Sequence, residues 1–196
     1  MKNIFTLLAF ILSVSLSAQY FETSETQVTT GPKALQGKYI KLSTSSVVEK
    51  EGLAADLYQT TINWITENYK SPEDVIKGKI ENEYVRISGS LDALVLTKVL
   101  GLATTYDGRY TMEFRFKDGR FKVDILSTEI YIPTGQYTSG WKDYTLNFKV
   151  ANRKGKDTYG GVKSYERANS YFNEIVDDIV NYKKGTSNSS ASDDDW

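Results

Sequence analysis

The sequence has no cysteine and no histidine. The first absence excludes a disulfide framework, a thiol nucleophile and a cysteinyl metal site. The second removes the commonest general base, the commonest metal ligand and the side chain that titrates near neutral pH. An enzyme built from this chain would have to work with carboxylates, lysines, tyrosines and serines. A dominant charge is lacking too. Lys and Arg number 24 against 25 Asp and Glu, for a net charge of −1. That balance gives no overall pull toward nucleic acid or an anionic membrane. No apolar run is long enough to span a bilayer as a stable helix.

The apolar run that is present, Ile4 to Leu16, has the form of an export signal. Lys2 supplies its charge, and Ser17-Ala18 supplies small residues for cleavage between Ala18 and Gln19. Residues 1–18 are therefore expected to be a signal peptide, and the mature chain is expected to be periplasmic or secreted. Cleavage there removes Lys2 and takes the net charge from −1 to −2. With no cysteine behind the run, lipoprotein anchoring is excluded. Residues 19–36 are rich in Thr, Ser, Gln and Glu, broken by Gly31-Pro32, and read as a flexible leader. Residues 37–184 read as a single domain, and residues 185–196 as a disordered acidic tail ending in Asp193-Asp194-Asp195-Trp196.

Within the domain, Lys38 to Val48 reads as a first strand. Leu53 to Lys70 reads as a helix: Leu53, Ala54, Leu57, Tyr58, Ile62, Trp64, Ile65 and Tyr69 fall on one half of the cylinder. Ser71-Pro72 stops it. Two hairpins follow. The first pairs Ile76–Ile80 with Tyr84–Ser88 around a turn at Asn82-Glu83. The second pairs Tyr110–Lys117 with Phe121–Ile125 around Asp118-Gly119, the signature of a type I′ turn. Leu91 to Leu102, apolar and ambiguous between helix and strand, is read as an extension of the strand system. Glu129 to Asn152 is irregular by pattern, with a short strand expected within Tyr144–Val150. Arg153 to Gly161 reads as a loop, and Tyr165 to Lys183 as a second amphipathic helix. The order β-α-β4-α predicts an α+β fold, an antiparallel sheet of about five strands with two helices on one face.

The run LYQTTINWITENYKSPEDVIKGKIENEYVRISG, followed by YTMEFRFKDGRFKVDI, resembles domain-of-unknown-function family 4468. Those are exported bacterial proteins with a fold like the TATA-box-binding protein. The resemblance covers roughly residues 53–130. It implies the same α+β fold and no activity, since the family has no assigned catalytic residues. The fold name does not imply DNA binding for an exported, slightly acidic chain.

Two surfaces invite a functional reading. A two-residue turn at Asp118-Gly119 sets Lys117 opposite Arg120, Arg115 opposite Lys122, and Glu113 opposite Asp124. Like charges directly opposite one another destabilise a sheet. Arg115, Lys117, Arg120 and Lys122, with Lys77, Lys79 and Arg86, therefore form a candidate site for an anionic partner: an acidic glycan, a lipid headgroup or an acidic segment of an envelope protein. The same run also reads as a solvated face, with diagonals such as Arg115 to Asp124 relieving the repulsion. Separately, Tyr131, Tyr137, Trp141 and Tyr144 form a candidate pocket mouth, or else pack a loop onto the domain. No catalytic residue, metal site or cofactor is assigned. The expected function is a non-enzymatic binding module of the bacterial envelope. A structural component of the envelope and a pocket binder of a small apolar ligand are the alternatives.

Overall fold

A computed structural model describes residues 18–99, 101–133 and 139–183. The proposed signal peptide (apart from Ala18), Tyr137 and the DDDW tail lie outside these residues. The described chain is α+β, as expected, but it has nine strands in two antiparallel sheets rather than about five in one.

The larger sheet is built on a meander of β5 (Tyr84–Val99), β6 (Leu102–Lys117) and β7 (Arg120–Ile132). Strand β3 (Ser45–Glu49) pairs with the first half of β7, and β8 (Gly140–Asp143) with its last four residues. Strand β4 (Ile76–Ile80) closes the far edge on β5. Within the ambiguous Leu91–Leu102 stretch, Leu91–Val99 belongs to β5 and Leu102 opens β6. A bulge between Leu91 and Val95 places Ala93 at φ +49°, and the Asp107 carboxylate accepts from the Ala93 N–H at 2.8 Å. The smaller sheet has the order β1 (Thr23–Val28), β2 (Gly37–Leu42) and β9 (Asn147–Asn152).

Three expectations are corrected here. The segment expected as a flexible leader contains β1, paired residue for residue with β2. The single strand expected over Lys38–Val48 is two strands in different sheets. The chain crosses between them at Leu42–Ser45, where Leu42 N–H bonds Leu146 O and Thr44 O accepts from Ile125 N–H. Residues 129–152, expected to be irregular apart from a short strand within Tyr144–Val150, add β8 beside that strand, which is β9.

Both long helices cover the same face of the larger sheet. Helix α1 (Ala54–Asn68) buries Leu57, Tyr58, Thr61, Trp64 and Ile65 against β5, β6 and β7. Leu53, expected on that face, is instead the N-cap and is 61% exposed. A single turn, α2 (Pro72–Val75), leads into β4. Helix α3 (Gly161–Asn181) buries Ala168, Phe172, Ile175, Val176 and Ile179 against β9, β5, β2 and α1, so it spans both sheets. It begins four residues earlier than its apolar period suggests. The cause is close approach: a Cβ on Gly160 would meet Leu96 O at 1.6 Å, and one on Gly161 would meet Lys149 O at 1.7 Å. Only glycine lets the start of α3 wedge between β5 and β9.

The β6–β7 turn is not type I′, which needs positive φ at both central residues. Only Gly119 has it, at +77°. Contacts outside the hairpin override the local preference: Gly119 N–H bonds Gly52 O, and Lys50 N–H bonds Gly119 O. The first hairpin turn is likewise longer than expected, three residues with Asn82 at φ +61° between the paired Ile80 and Tyr84. The Asp118 carboxylate accepts from Ala54 N–H at 2.8 Å, and Leu53 offers α1 no capping side chain of its own. Asp118 therefore caps α1 from a distant turn. Asp118→Ala is expected to cost about 1 kcal/mol, and Asp118→Asn much less. Urea denaturation would show this as a lower midpoint at unchanged slope, and equal midpoints for Asp118→Ala and the parent would disprove the cap.

Candidate functional site

In an antiparallel ladder, directly opposed residues share a face. The inward residues of β6 and β7, Tyr110, Met112, Phe114, Phe116, Phe121, Val123 and Ile125, meet the helices and are buried. The outward residues form a sheet face that neither long helix covers. The expected register is present: Lys117 opposes Arg120, Arg115 opposes Lys122, and Glu113 opposes Asp124.

The repulsion is relieved mainly along the strands. Across the diagonal, Arg115 acts on Asp124 as a nearby charge that lowers its pKa, without a direct ion pair. It binds Glu113, two residues back on its own strand, at 2.5 Å, while Arg86 on β5 binds the other Glu113 oxygen at 2.6 Å. Lys122 likewise binds Asp124 at 2.7 Å. The Glu113 side chain is only 3% exposed because the two guanidinium groups lie over it. Burial would raise its pKa, but the hydrogen bonds from Arg86 and Arg115 outweigh that and hold the carboxyl below its ordinary value. Asp124 follows the same logic. Burial opposes ionisation, and hydrogen bonds from Lys122 and Ser45 prevail.

Two of the seven expected cations leave this face. Lys79 pairs with Val85, which points into the core, so Lys79 sits on the helix side of the edge strand. Lys77 falls in a β-bulge and donates to Asp74 O. The remaining positive charge gathers at the β6–β7 tip. There Arg115, Lys117, Arg120 and Lys122 line a depression of about 410 Å³ together with Val47 and Phe121. The Lys117 side chain makes no ion pair or hydrogen bond among the described residues. Arg120 has Glu49 at 3.9 Å, too distant for a hydrogen bond.

Of the expected pocket mouth, the described residues bring two members together and set Tyr144 apart. Tyr131 and Trp141 do meet, as a cross-strand pair with ring centroids 5.4 Å apart on the outer face. Arg109 lies 4.5 Å from the Trp141 ring centroid and makes a forked pair with Glu129. Tyr144 is elsewhere. It packs on Phe148 under α3, where burial pushes its hydroxyl pKa up to about 12. Tyr137 lies outside the described residues. Among the described residues, the buried apolar side chains between helices and sheets form one core cluster.

A feature absent from the sequence reading is a chain of tyrosine hydroxyls. The Tyr110 hydroxyl stands 3.1 Å from those of Tyr69 and Tyr171, linking α1, β6 and α3. Burial, then the two neighbouring tyrosines, raise the Tyr110 pKa far above its ordinary value. This is a structural tie rather than a reactive group. Two partly or fully buried serines also serve structure. Ser164 receives Leu96 N–H and donates to Gly160 O, and Ser88 bonds Thr111. Among the described residues, no three His, Cys, Asp or Glu side chains are placed to hold a metal ion, and no helix is long and apolar enough to cross a membrane.

No family model and no curated protein matches the sequence. Two solved structures resemble the fold. One is a DUF4468 family protein from Bacteroides ovatus, with a TM-score of 0.50 and 15% identity over 74% of this chain and 89% of that one. The other is a TBP-like protein from Parabacteroides distasonis, with a TM-score of 0.45 and 15% identity over 71% of this chain and 92% of that one. At such identity the first likeness concerns architecture alone, and in that respect it agrees with the resemblance read from residues 53–130: this chain has the fold of a family-4468 protein.

Proposed function

We propose that the protein is an exported, non-enzymatic binding module that holds an anionic partner, an acidic glycan or an acidic segment of an envelope protein, at the β6–β7 tip. One observation carries the reading. Four cations line a single depression, and Lys117 among them has no partner in the described residues. A focused positive patch on a chain of net −1 attracts anions locally, without the general stickiness of a basic protein. Export is supported by the form of residues 1–18. A structural role in the envelope draws support from β1, a solvent-exposed edge strand that among the described residues pairs only with β2 and offers its other edge to a further strand.

Lys117→Glu with Arg120→Glu reverses two exposed charges without touching the core. The double variant is expected to elute from immobilised heparin at lower salt by about 100 mM NaCl, with stability within about 0.5 kcal/mol of the parent. Lys33→Glu with Lys154→Glu, on exposed residues away from the tip, makes the same change in net charge. Equal elution shifts for the two pairs would show that heparin reads only net charge, and the site reading would fall.

A further inference from the structure

We propose that the segment Asp193–Trp196 of this same chain docks in the basic depression at the β6–β7 tip and competes there with external anions. The inference rests on the reading of that depression as an anion site.

Chemical complementarity is the first support. Three consecutive carboxylates and an indole meet four cations bordered by Val47 and Phe121. Arg115 and Lys122 already hold one carboxylate each, whereas Lys117 holds none and Arg120 only approaches Glu49. The unspent charge therefore lies where Asp193–Asp195 would bind. An indole can stack on an arginine or cover the exposed Val47.

Position is the second. Lys50 donates its side-chain amine to Val180 O at 2.6 Å, at the end of α3, and its backbone N–H to Gly119 O at 3.0 Å. A single residue thus bridges the point where the tail leaves the domain and the turn that carries the basic tip. The reach of one lysine keeps the two carbonyls within roughly 13 Å.

Length is the third. From Lys183 to Asp193 an extended chain can span roughly 33 Å. The thickness to be rounded, from the helix side past the β3 edge to the outer face, is on the order of 10 Å per layer. A tether of this length holds the segment at an effective concentration on the order of millimolar, so weak, salt-screened pairing suffices to occupy a large share of the sites. Neutralising the segment should then raise the apparent affinity for an external polyanion about two- to tenfold at low salt.

The test compares amide spectra of the full mature chain with those of the full-length Asp193→Asn/Asp194→Asn/Asp195→Asn variant, at 20 and 500 mM NaCl. Expected are shift differences at residues 115–122 in low salt that collapse in high salt and vanish in the Lys117→Glu/Arg120→Glu background. Heparin retention of the same four proteins is measured in parallel. Identical amides at 115–122 in low salt, or differences confined to other residues, overturn the docking. The site reading then still stands if Lys117→Glu/Arg120→Glu lowers retention more than the Lys33→Glu/Lys154→Glu control. If retention does not respond to the tip substitutions, the site reading itself fails and the docking goes with it.

Discussion

Replacing Arg86 and Arg115 together by methionine is expected to destabilise the protein by about 2–3 kcal/mol at pH 7. Glu113 lies on the outer sheet face and is hidden there by the two guanidinium groups that bind it. Methionine preserves the cover and removes the compensation, leaving a carboxylate under apolar atoms. A deeply buried pair broken in this way typically costs about 3–5 kcal/mol, and the open face lowers the expected figure. Alanine at both positions should cost less than methionine, because water then reaches the carboxylate. The pH dependence separates this account from simple loss of packing. In the parent, the Glu113 pKa lies below its ordinary value of 4.5, so its contribution is complete above pH 4.5 and is lost as pH falls through the folded-state value. In the methionine variant the carboxyl is raised above 4.5, so its penalty is present at pH 7 and disappears as pH falls toward 4.5. The stability gap between parent and variant should therefore narrow from pH 7 to pH 4. Urea denaturation at both values measures it, and a constant gap would rule the charge explanation out.

Glu113 also shows where a pattern in the sequence stops being informative. Alternation places it outward with Arg115 and Lys117, and that placement is right. Nothing in the β6 sequence distinguishes it from an ordinary surface charge. Its cover is completed by Arg86, twenty-seven positions away, which the β5–β6 register brings beside Arg115. The β6–β7 hairpin was legible because one face of each strand is core and the other is solvent, so polarity alternates strictly. Strand β1 was not, because Thr23–Gln27 is exposed throughout and no alternation can arise. The break between β2 and β3 was hidden for the opposite reason. Both halves have ordinary strand composition, and only their partners, β9 and β7, separate them. At the start of α3, Gly160 and Gly161 carry the composition of a loop, yet their role is to admit backbone from two sheets. At the basic tip, alternation and the two-residue turn set the four cations on one face, and they line one depression. Their depression and its one unpaired lysine depend on which carboxylates reach back, a matter of side-chain geometry rather than composition.

The joining of the two sheets by α3 leads to the largest single-residue effect. Phe172 is 1% exposed and stands where the layers meet. Its ring lies edge-on to Phe21, just before β1, at 6.4 Å, to Tyr110 of β6 at 5.5 Å, and to Tyr171 at 5.6 Å. Phe21 is itself fully buried, and its N–H bonds the Asn173 side chain, so the segment entering β1 is fastened to the same turn of α3. Phe172→Ala would remove the ring from the junction of β1, β6 and α3. Core Phe→Ala changes cost about 3–5 kcal/mol, and this site belongs at the upper end because three rings around the cavity are held by hydrogen-bonded neighbours and cannot collapse into it. Leu102→Ala, at a position 74% exposed, should cost less than about 0.5 kcal/mol and serves as the control. If the smaller sheet depends on this junction, hydrogen exchange in Phe172→Ala should accelerate first at the β1–β2 amides while the β6–β7 ladder stays protected. Uniform acceleration across both sheets would mean that the two unfold as one unit and that α3 does not act as their joint.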